Sequence, residues 1–200
     1  MATDLEMASK LNRKFAYIFD LDGVIIDSVE NYYKSLRTVF LKHFGIVADR
    51  DFFLQRVGAS IPEHVEGLLA HHGIDGNKEE LLKETSEHYH AIVHTGEPIV
   101  CNVQLIKMLI KNGTPVAVAS GSSRRVIEIC LSIFGIEGIK AIVSADEISN
   151  GKPDPESFLL AAKQLGFSPN DCVVVEDADA GAQAAFAAGM RLLRFYDTGR

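Results

Sequence analysis

Cysteine is scarce in this sequence, and its three residues, Cys101, Cys130 and Cys172, lie far apart. An odd and unclustered set offers neither a disulfide framework nor the paired spacing of a metal site. Two of the three lie inside apolar runs, where a cysteine is typically a small core residue. This usage of cysteine is typical of a reducing compartment.

Basic residues are also in the minority, because 20 lysines and arginines stand against 27 aspartates and glutamates, for a net charge of −7. This balance excludes the broad basic surface of a nucleic-acid-binding protein. It also means that any site for a phosphorylated ligand has to be locally positive. With 200 residues, 47% of them hydrophobic, the chain is long enough for one sizeable core and a smaller second lobe.

Long apolar runs are missing, and no run is long enough to cross a bilayer. The first 14 residues are mixed and acidic. They have neither the apolar stretch of a signal peptide nor the acid-poor composition of a transit peptide. We therefore expect a cytoplasmic protein with no membrane partner.

Short apolar runs alternate with amphipathic segments over most of the chain. The runs lack the alternating polarity of a half-exposed sheet, which favours an α/β fold with a parallel sheet covered by helices on both faces. We predict strands at 15–19, 115–119, 141–143 and 172–175, a last strand beginning at 192–193, and helices at about 102–112, 123–134, 155–165 and 179–188.

The segment from about 28 to 98 has a different pattern. Apolar residues from Val29 to Phe40 recur at helical spacing, and Gly45 follows as a stop signal. Further helices are predicted at about 60–72 and 77–94, with no convincing strand between them. We predict an all-helical insert.

Asp20 and Asp22 follow the first apolar run directly, in the sequence Phe19-Asp20-Leu21-Asp22-Gly23. Aspartate is depleted in strands, and ligands bind at the carboxyl ends of parallel strands. Two close carboxylates repel each other unless a cation or a shared proton relieves them, and hard oxygen ligands suit Mg²⁺. A solvated turn is the alternative interpretation.

Polar residues follow the other strong strands as well. In a parallel sheet these strand ends share one rim, so the side chains that follow them should converge. Any one of them alone is an ordinary loop residue, but several carboxylates gathered without a cation would destabilise the fold. The residues expected on this rim are Asp20, Asp22, Ser120, Glu176 and Asp177.

Two further segments suit an anion. Ser120-Gly121-Ser122-Ser123 offers a hydroxyl and backbone N–H groups at a helix start. A plain N-cap is the alternative, and different serines could serve the two roles.

Lys152 lies in a stiff loop between Gly151 and two prolines; the alternative is an ordinary surface lysine. Asp154 and Pro155 are predicted as the N-cap and first residue of the next helix. Together with the carboxylates, these groups suit phosphoryl transfer.

Four segments in this order resemble the motifs of the haloacid dehalogenase superfamily, in the branch similar to β-phosphoglucomutase and small sugar phosphatases. They are Phe19–Val24, Ala119–Ser123, Gly151–Pro155, and Val175–Asp177 with Ala180-Gly181. The resemblance implies a Rossmann-like three-layer core from residues 1–28 and 99–200. It also implies a helical cap at residues 29–98, inserted after the first motif.

The resemblance also implies roles for individual residues. Asp20 would be the nucleophile, and Asp22 the general acid and then the base. Ser120, Gly121 and Lys152 would bind the transferring phosphoryl group. Mg²⁺ would be held by Asp20, the Asp22 backbone carbonyl and Asp177, with Glu176 nearby or ligating. The expected function is a Mg²⁺-dependent phosphatase that hydrolyses a small phosphorylated metabolite, such as a sugar phosphate, through a phosphoaspartyl intermediate. Two alternatives stay open: a β-phosphoglucomutase-like phosphomutase and a non-catalytic regulatory protein.

The chain departs from the family pattern at several positions. Ala178 stands where a serine is usual, and Val100-Cys101-Asn102 replaces the usual Pro-Gly turn, which Asn102 could sustain in a left-handed conformation. Two departures favour phosphatase over mutase. Tyr32 stands where mutase-like relatives carry a histidine, and Ile61, at the end of Gly58-Ala59-Ser60-Ile61, stands where they carry a phosphate-gripping arginine, with Arg56 as a nearby substitute.

Overall fold

The computed structural model describes residues 14–56 and 61–194, and of Ile61 the backbone alone. The strands in these ranges are β1 (Ala16–Phe19), β2 (Ile26–Asp27), β3 (Glu97–Pro98), β4 (Val116–Ala119), β5 (Ala141–Val143), β6 (Cys172–Glu176) and β7 (Arg191–Arg194). Five of them form one parallel sheet in the order β5-β4-β1-β6-β7. The predicted α/β class and parallel sheet are confirmed.

The helices in the described residues are α1 (Val29–Phe44), α2 (Arg50–Leu54), α3 (Ile61–His72), α4 (Lys78–Ile92), α5 (Val100–Lys111), α6 (Arg124–Ile133), α7 (Glu156–Leu165) and α8 (Asp179–Ala187). Among these ranges, none of the helices combines the length and the apolar character that crossing a bilayer requires.

Strand register brings the carboxyl ends of the central strands to one level. Phe19 at the end of β1 pairs with Val118 of β4 on one side and with Val175 of β6 on the other. The N–H of Asp20 continues this ladder by donating to the Val175 carbonyl at 3.0 Å. The residues that follow these strands therefore meet at one rim, as the sequence predicts.

Small side chains let the helices lie close to the sheet. Ala16 and Ile18 of β1 pack in one cluster with Phe158 of α7 and Ala184 of α8. Because alternate strand residues point to opposite faces, Phe19 and its neighbours are buried on the other face, where α5 and α6 contact β4 and β5. Helices thus cover both faces of the sheet.

Residues Ile26–Pro98 form a compact unit of their own. Its four helices, α1 to α4, share a core that includes Leu36, Phe40, Phe53 and Leu68. Strands β2 and β3 pair in antiparallel fashion and have two residues each, too few to show the alternating pattern of a strand in the sequence. Likewise α2 has five residues, and sequence periodicity missed it.

Two local predictions are wrong. Asn102 lies inside α5 rather than in a left-handed turn, and its side-chain amide donates to the Val24 carbonyl at 2.8 Å.

Helix α7 begins at Glu156, one residue later than predicted, with Pro155 at its N-cap. The Asp154 carboxylate still accepts a hydrogen bond from the Glu156 N–H, at 2.9 Å, so the predicted capping residue contacts the first turn from outside it.

Candidate active site

The centre of the rim is an ion-pair group of two buried carboxylates and a lysine that is largely buried. The Lys152 ammonium lies 2.8 Å from Asp20 Oδ1 and 2.7 Å from Glu176 Oε2. Asp20 is 7% exposed and Glu176 is fully buried. Two carboxylates in so little water need a cation between them, and Lys152 supplies it. Lys152 is thus not an ordinary surface lysine.

The pKa values of the group reflect this arrangement. Burial, and next the Glu176 carboxylate, raise the pKa of Asp20 well above its usual range, against the opposing effect of Lys152. For Lys152, burial disfavours the charged form, but Asp20 and Glu176 together outweigh it and raise its pKa above the ordinary value. The ammonium therefore stays charged at neutral pH and balances part of the negative charge of the carboxylates around it.

Asp177 completes a group of three carboxylates. One oxygen from each of Asp20, Glu176 and Asp177 lies within 4.8 Å of the others. Glu176 already accepts hydrogen bonds from Lys152 at 2.7 Å and from the Ala178 N–H at 3.1 Å. Hard oxygen donors in this number suit Mg²⁺. Asp20 and Asp177 are the better placed ligands, because both oxygens of Glu176 already accept hydrogen bonds, whereas Lys152 contacts Oδ1 of Asp20.

Two glycines make room for these carboxylates. Gly23 has a φ of 74°, and a Cβ there would overlap the Asp177 carboxylate. A Cβ at Gly181, in the first turns of α8, would overlap the carboxylate of Glu176. Both positions thus need glycine for clearance, and Gly23 needs it for its backbone conformation as well.

The predicted anion loop follows β4. Ser120 is buried, and its hydroxyl accepts the Ser122 N–H at 3.0 Å. Gly121 is exposed, with open space around it. Ser122 donates its hydroxyl proton to Asp22 Oδ2 at 2.9 Å. Ser123 is the N-cap residue of α6, but its side chain makes no capping hydrogen bond.

A second set of contacts fixes the loop that carries Lys152. The Glu156 carboxylate accepts the backbone N–H groups of Ser149 and Asn150 at 3.0 and 2.8 Å. The Lys152 ammonium also lies 4.9 Å from the centre of the Phe158 ring, a cation–π contact. Contacts with Glu156 and Phe158, both in the first turn of α7, thus hold the loop, and Lys152 has a defined position.

A family model described as haloacid dehalogenase-like hydrolase matches residues 17–195, which include every residue of the rim. The chain belongs to this family.

The relatives of the chain include proteins with named activities. Fructose-1-phosphate phosphatase of Escherichia coli (strain K12) is 34% identical over 175 residues, which cover 86% of this chain and 92% of that protein. β-Phosphoglucomutase of Bacillus subtilis (strain 168) is 33% identical over 182 residues, covering 88% and 80%. The crystal structure of a hydrolase from Pseudomonas syringae superposes with a TM-score of 0.75 at 27% identity, covering 93% of this chain and 88% of that one.

The superfamily resemblance and the assignment as a phosphatase-type enzyme of the haloacid dehalogenase-like family are confirmed. Sequence reasoning missed three features of the site: the Ser122–Asp22 hydrogen bond, the Lys152–Glu176 ion pair and the clearance at Gly23 and Gly181. The hydrogen bond, the ion pair and the clearance at Gly23 each join residues far apart in the chain, so no local spacing could show them; the clearance at Gly181 depends on how α8 begins beside Glu176. The only sequence signal was that the glycines and Ser122 stand within or beside the four motifs.

Proposed function

We propose that this haloacid dehalogenase-like enzyme is a Mg²⁺-dependent phosphatase that hydrolyses a sugar phosphate through a phosphoaspartyl intermediate on Asp20. The observation that carries the proposal is the contact of Lys152 with Asp20, within a group of carboxylates that suits a divalent cation. The activity of the fructose-1-phosphate phosphatase relative supports a small sugar phosphate as substrate. Residues 29–98 are proposed as the cap, and the cytoplasm remains the proposed location.

In the first half-reaction, an Asp20 carboxylate oxygen attacks the phosphorus of the substrate. The bond between phosphorus and the sugar oxygen breaks, and the leaving oxygen takes a proton from the Asp22 carboxyl group. Lys152 lies beside the attacking carboxylate, so its positive charge is in place for the oxygens of the transferring phosphoryl group. Ser120 and the Gly121 N–H hold the same group.

In the second half-reaction, water attacks the phosphorus of the phosphoaspartate. Asp22, now a carboxylate, accepts the proton from that water, and the bond between phosphorus and Asp20 breaks to release inorganic phosphate. Asp20 and Asp22 each return to their starting state.

The residues present fit Mg²⁺. Asp20 and Asp177 would hold the ion, with the Asp22 backbone carbonyl implied by the family motif and Glu176 adjacent. When bound, it would neutralise negative charge on the phosphoryl oxygens. The family pattern usually adds a serine hydroxyl after the acidic pair; here the Ala178 N–H binds Glu176 instead, at 3.1 Å.

Mg²⁺ should stabilise the protein and restore activity after EDTA treatment. A ligand that binds only the native state adds about 2.7 kcal/mol at a concentration of about 100 Kd, which corresponds to a rise in Tm of several degrees. Thermal unfolding and p-nitrophenyl phosphate hydrolysis, each with and without millimolar Mg²⁺, provide the measurement.

Two variants locate the ion. Asp177→Asn should abolish the Mg²⁺-dependent shift in Tm, whereas Glu84→Gln should retain it. Glu84 belongs to the other candidate group in the described residues, His43, Glu80 and Glu84, where the Lys42 ammonium already contacts Glu84 at 2.8 Å. A shift that persists in Asp177→Asn, or a Tm indifferent to Mg²⁺, would contradict the proposed site.

Hydrolysis rather than isomerisation is favoured by residues of the 26–98 unit. The ring of Tyr32, which replaces the mutase histidine, packs among the rings of Phe53, His64 and Tyr89, with centroid distances of 5.8, 5.3 and 6.0 Å.

The Arg56 guanidinium lies 3.8 Å from the centre of the Phe52 ring. Gly58-Ala59-Ser60 and the side chain of Ile61 lie outside the described residues. An apolar residue in place of an arginine should weaken any grip on a second phosphate.

We therefore expect free phosphate as the main product from β-glucose 1-phosphate supplied with a trace of the 1,6-bisphosphate, and also from fructose 1-phosphate. Both inorganic phosphate and glucose 6-phosphate should be followed over time. Glucose 6-phosphate appearing much faster than phosphate would establish the phosphomutase alternative. A folded, Mg²⁺-loaded protein that turns over neither substrate nor p-nitrophenyl phosphate would establish the non-catalytic one.

A further inference from the structure

Ser122 is fixed at three points of the rim. Its N–H donates to Ser120 Oγ at 3.0 Å, and its carbonyl accepts the Ala145 N–H at 3.0 Å. Its hydroxyl donates to Asp22 Oδ2 at 2.9 Å. The two backbone hydrogen bonds fix the place from which the Ser122 side chain reaches Asp22. The hydroxyl in this place is a donor to the Asp22 carboxyl group.

The segment that holds the Ser122 carbonyl is itself braced. Ala145 begins a 3₁₀ turn, Ala145–Glu147, that is tied to the start of α6. The Arg124 N–H donates to Asp146 at 2.9 Å, and the Arg124 guanidinium contacts Glu147 at 2.8 Å. The backbone of Ser122 is thus held by a network that does not include Asp22.

The contact has a consequence for the proton that Asp22 carries. When Asp22 Oδ2 accepts a hydrogen bond from the Ser122 hydroxyl, the acid proton of a neutral Asp22 is favoured on Oδ1, because the carbonyl oxygen is the better acceptor. A carboxyl group free to rotate would present either oxygen, whereas this one presents a defined oxygen. General acid catalysis depends on such placement, because the donor has to lie within hydrogen-bond reach of the leaving oxygen.

We propose that Ser122 is a positioning residue that orients Asp22 for proton donation to the leaving group. The inference rests on the proposed function, in which Asp22 is the general acid. Ser122 does not react and does not touch the nucleophile; it acts through Asp22. Its effect should therefore grow with the need of the leaving group for a proton.

Two substrates separate this role from a general structural one. The sugar alkoxide that leaves fructose 1-phosphate needs a proton, whereas p-nitrophenolate leaves readily without one. The measured quantity is kcat/KM, because it reports the step that expels the leaving group. For Ser122→Ala we expect a loss with fructose 1-phosphate about tenfold greater than the loss with p-nitrophenyl phosphate, a modest part of the effect typical of general acids.

Matched variants complete the test. Ser122→Thr keeps the hydroxyl and should restore the wild-type ratio between the two substrates. Ser123→Ala removes the neighbouring buried hydroxyl, which has no hydrogen-bond partner among the described residues, and should change both substrates by the same factor. If Ser122→Ala does not fold, Ser122→Cys keeps the shape with a weak donor and should show the same selective loss in smaller measure.

Three results would overturn the inference. An equal loss with both substrates would make Ser122 a structural residue of the loop. Weaker competitive inhibition by inorganic phosphate in Ser122→Ala would make it a phosphate ligand. A wild-type protein inactive toward both substrates would refute the proposed function, and the inference with it; wild-type activity together with an equal loss refutes the inference alone.

Discussion

Asp20→Asn should lower turnover by on the order of a thousandfold or more and leave the fold intact. The change replaces the attacking carboxylate oxygen with an amide of nearly the same volume. It also removes one negative charge from a buried group, and the high pKa of Asp20 shows that this charge is held there at a cost. Lys152 keeps Glu176 as its partner, 2.7 Å away. The Tm without Mg²⁺ should therefore be equal or higher.

The control for this variant is Asp171→Asn. Asp171 ends the 3₁₀ turn that precedes β6, at the opposite end of that strand from Glu176 and Asp177. Its replacement should leave kcat/KM near the wild-type value. A folded Asp20→Asn protein that kept more than about a tenth of wild-type activity would show that another group is the nucleophile.

Lys152→Ala should lower kcat/KM by about a hundredfold, since the loss of one charged stabiliser of a transition state is typically about 3 kcal/mol. It should also destabilise the protein in EDTA, because removing one partner of a buried ion pair leaves an uncompensated charge, at about 3–5 kcal/mol. The lysine side chain is 15% exposed and Glu176 is 0% exposed, so solvent screens this group little. Assays and thermal unfolding should be run on the same preparations.

Two controls separate the catalytic loss from the structural one. Lys163→Ala removes an exposed lysine from α7 and should change neither quantity. In the double variant Lys152→Ala with Glu176→Gln, one of the two buried carboxylate charges is gone as well, so stability in EDTA should recover in part while activity stays low. A loss of less than about threefold in Lys152→Ala would remove the lysine from the proposed transition-state contacts.

The rim could be predicted from the sequence because its residues stand at strand ends. Asp20, Ser120 and Glu176 each follow or end a short apolar run, and a parallel sheet brings such ends together. The same argument does not place Lys152, because its loop lies several residues beyond the end of β5. Only the folded chain shows that the lysine lies between two carboxylates.

What the sequence did not show depends on contacts between distant segments. The pairing of Ser122 with Asp22 joins positions 100 residues apart, and it depends on where the loop after β4 lies relative to β1. Asn102 was assigned to a turn from its tolerance of left-handed geometry, but its hydrogen bond to Val24 holds it in α5 instead. Tertiary hydrogen bonds of this kind override local preference.

The most direct test of the central claim is a search for the phosphoryl group on Asp20. Wild-type protein should be mixed with excess fructose 1-phosphate and Mg²⁺, quenched in acid during turnover, digested and mapped by mass spectrometry. We predict the added mass of one phosphoryl group on the peptide that contains Asp20, sensitive to hydroxylamine and absent from Asp20→Asn. Steady turnover with no phosphoryl group on that peptide, or with one on a serine such as Ser120, would contradict the proposed mechanism.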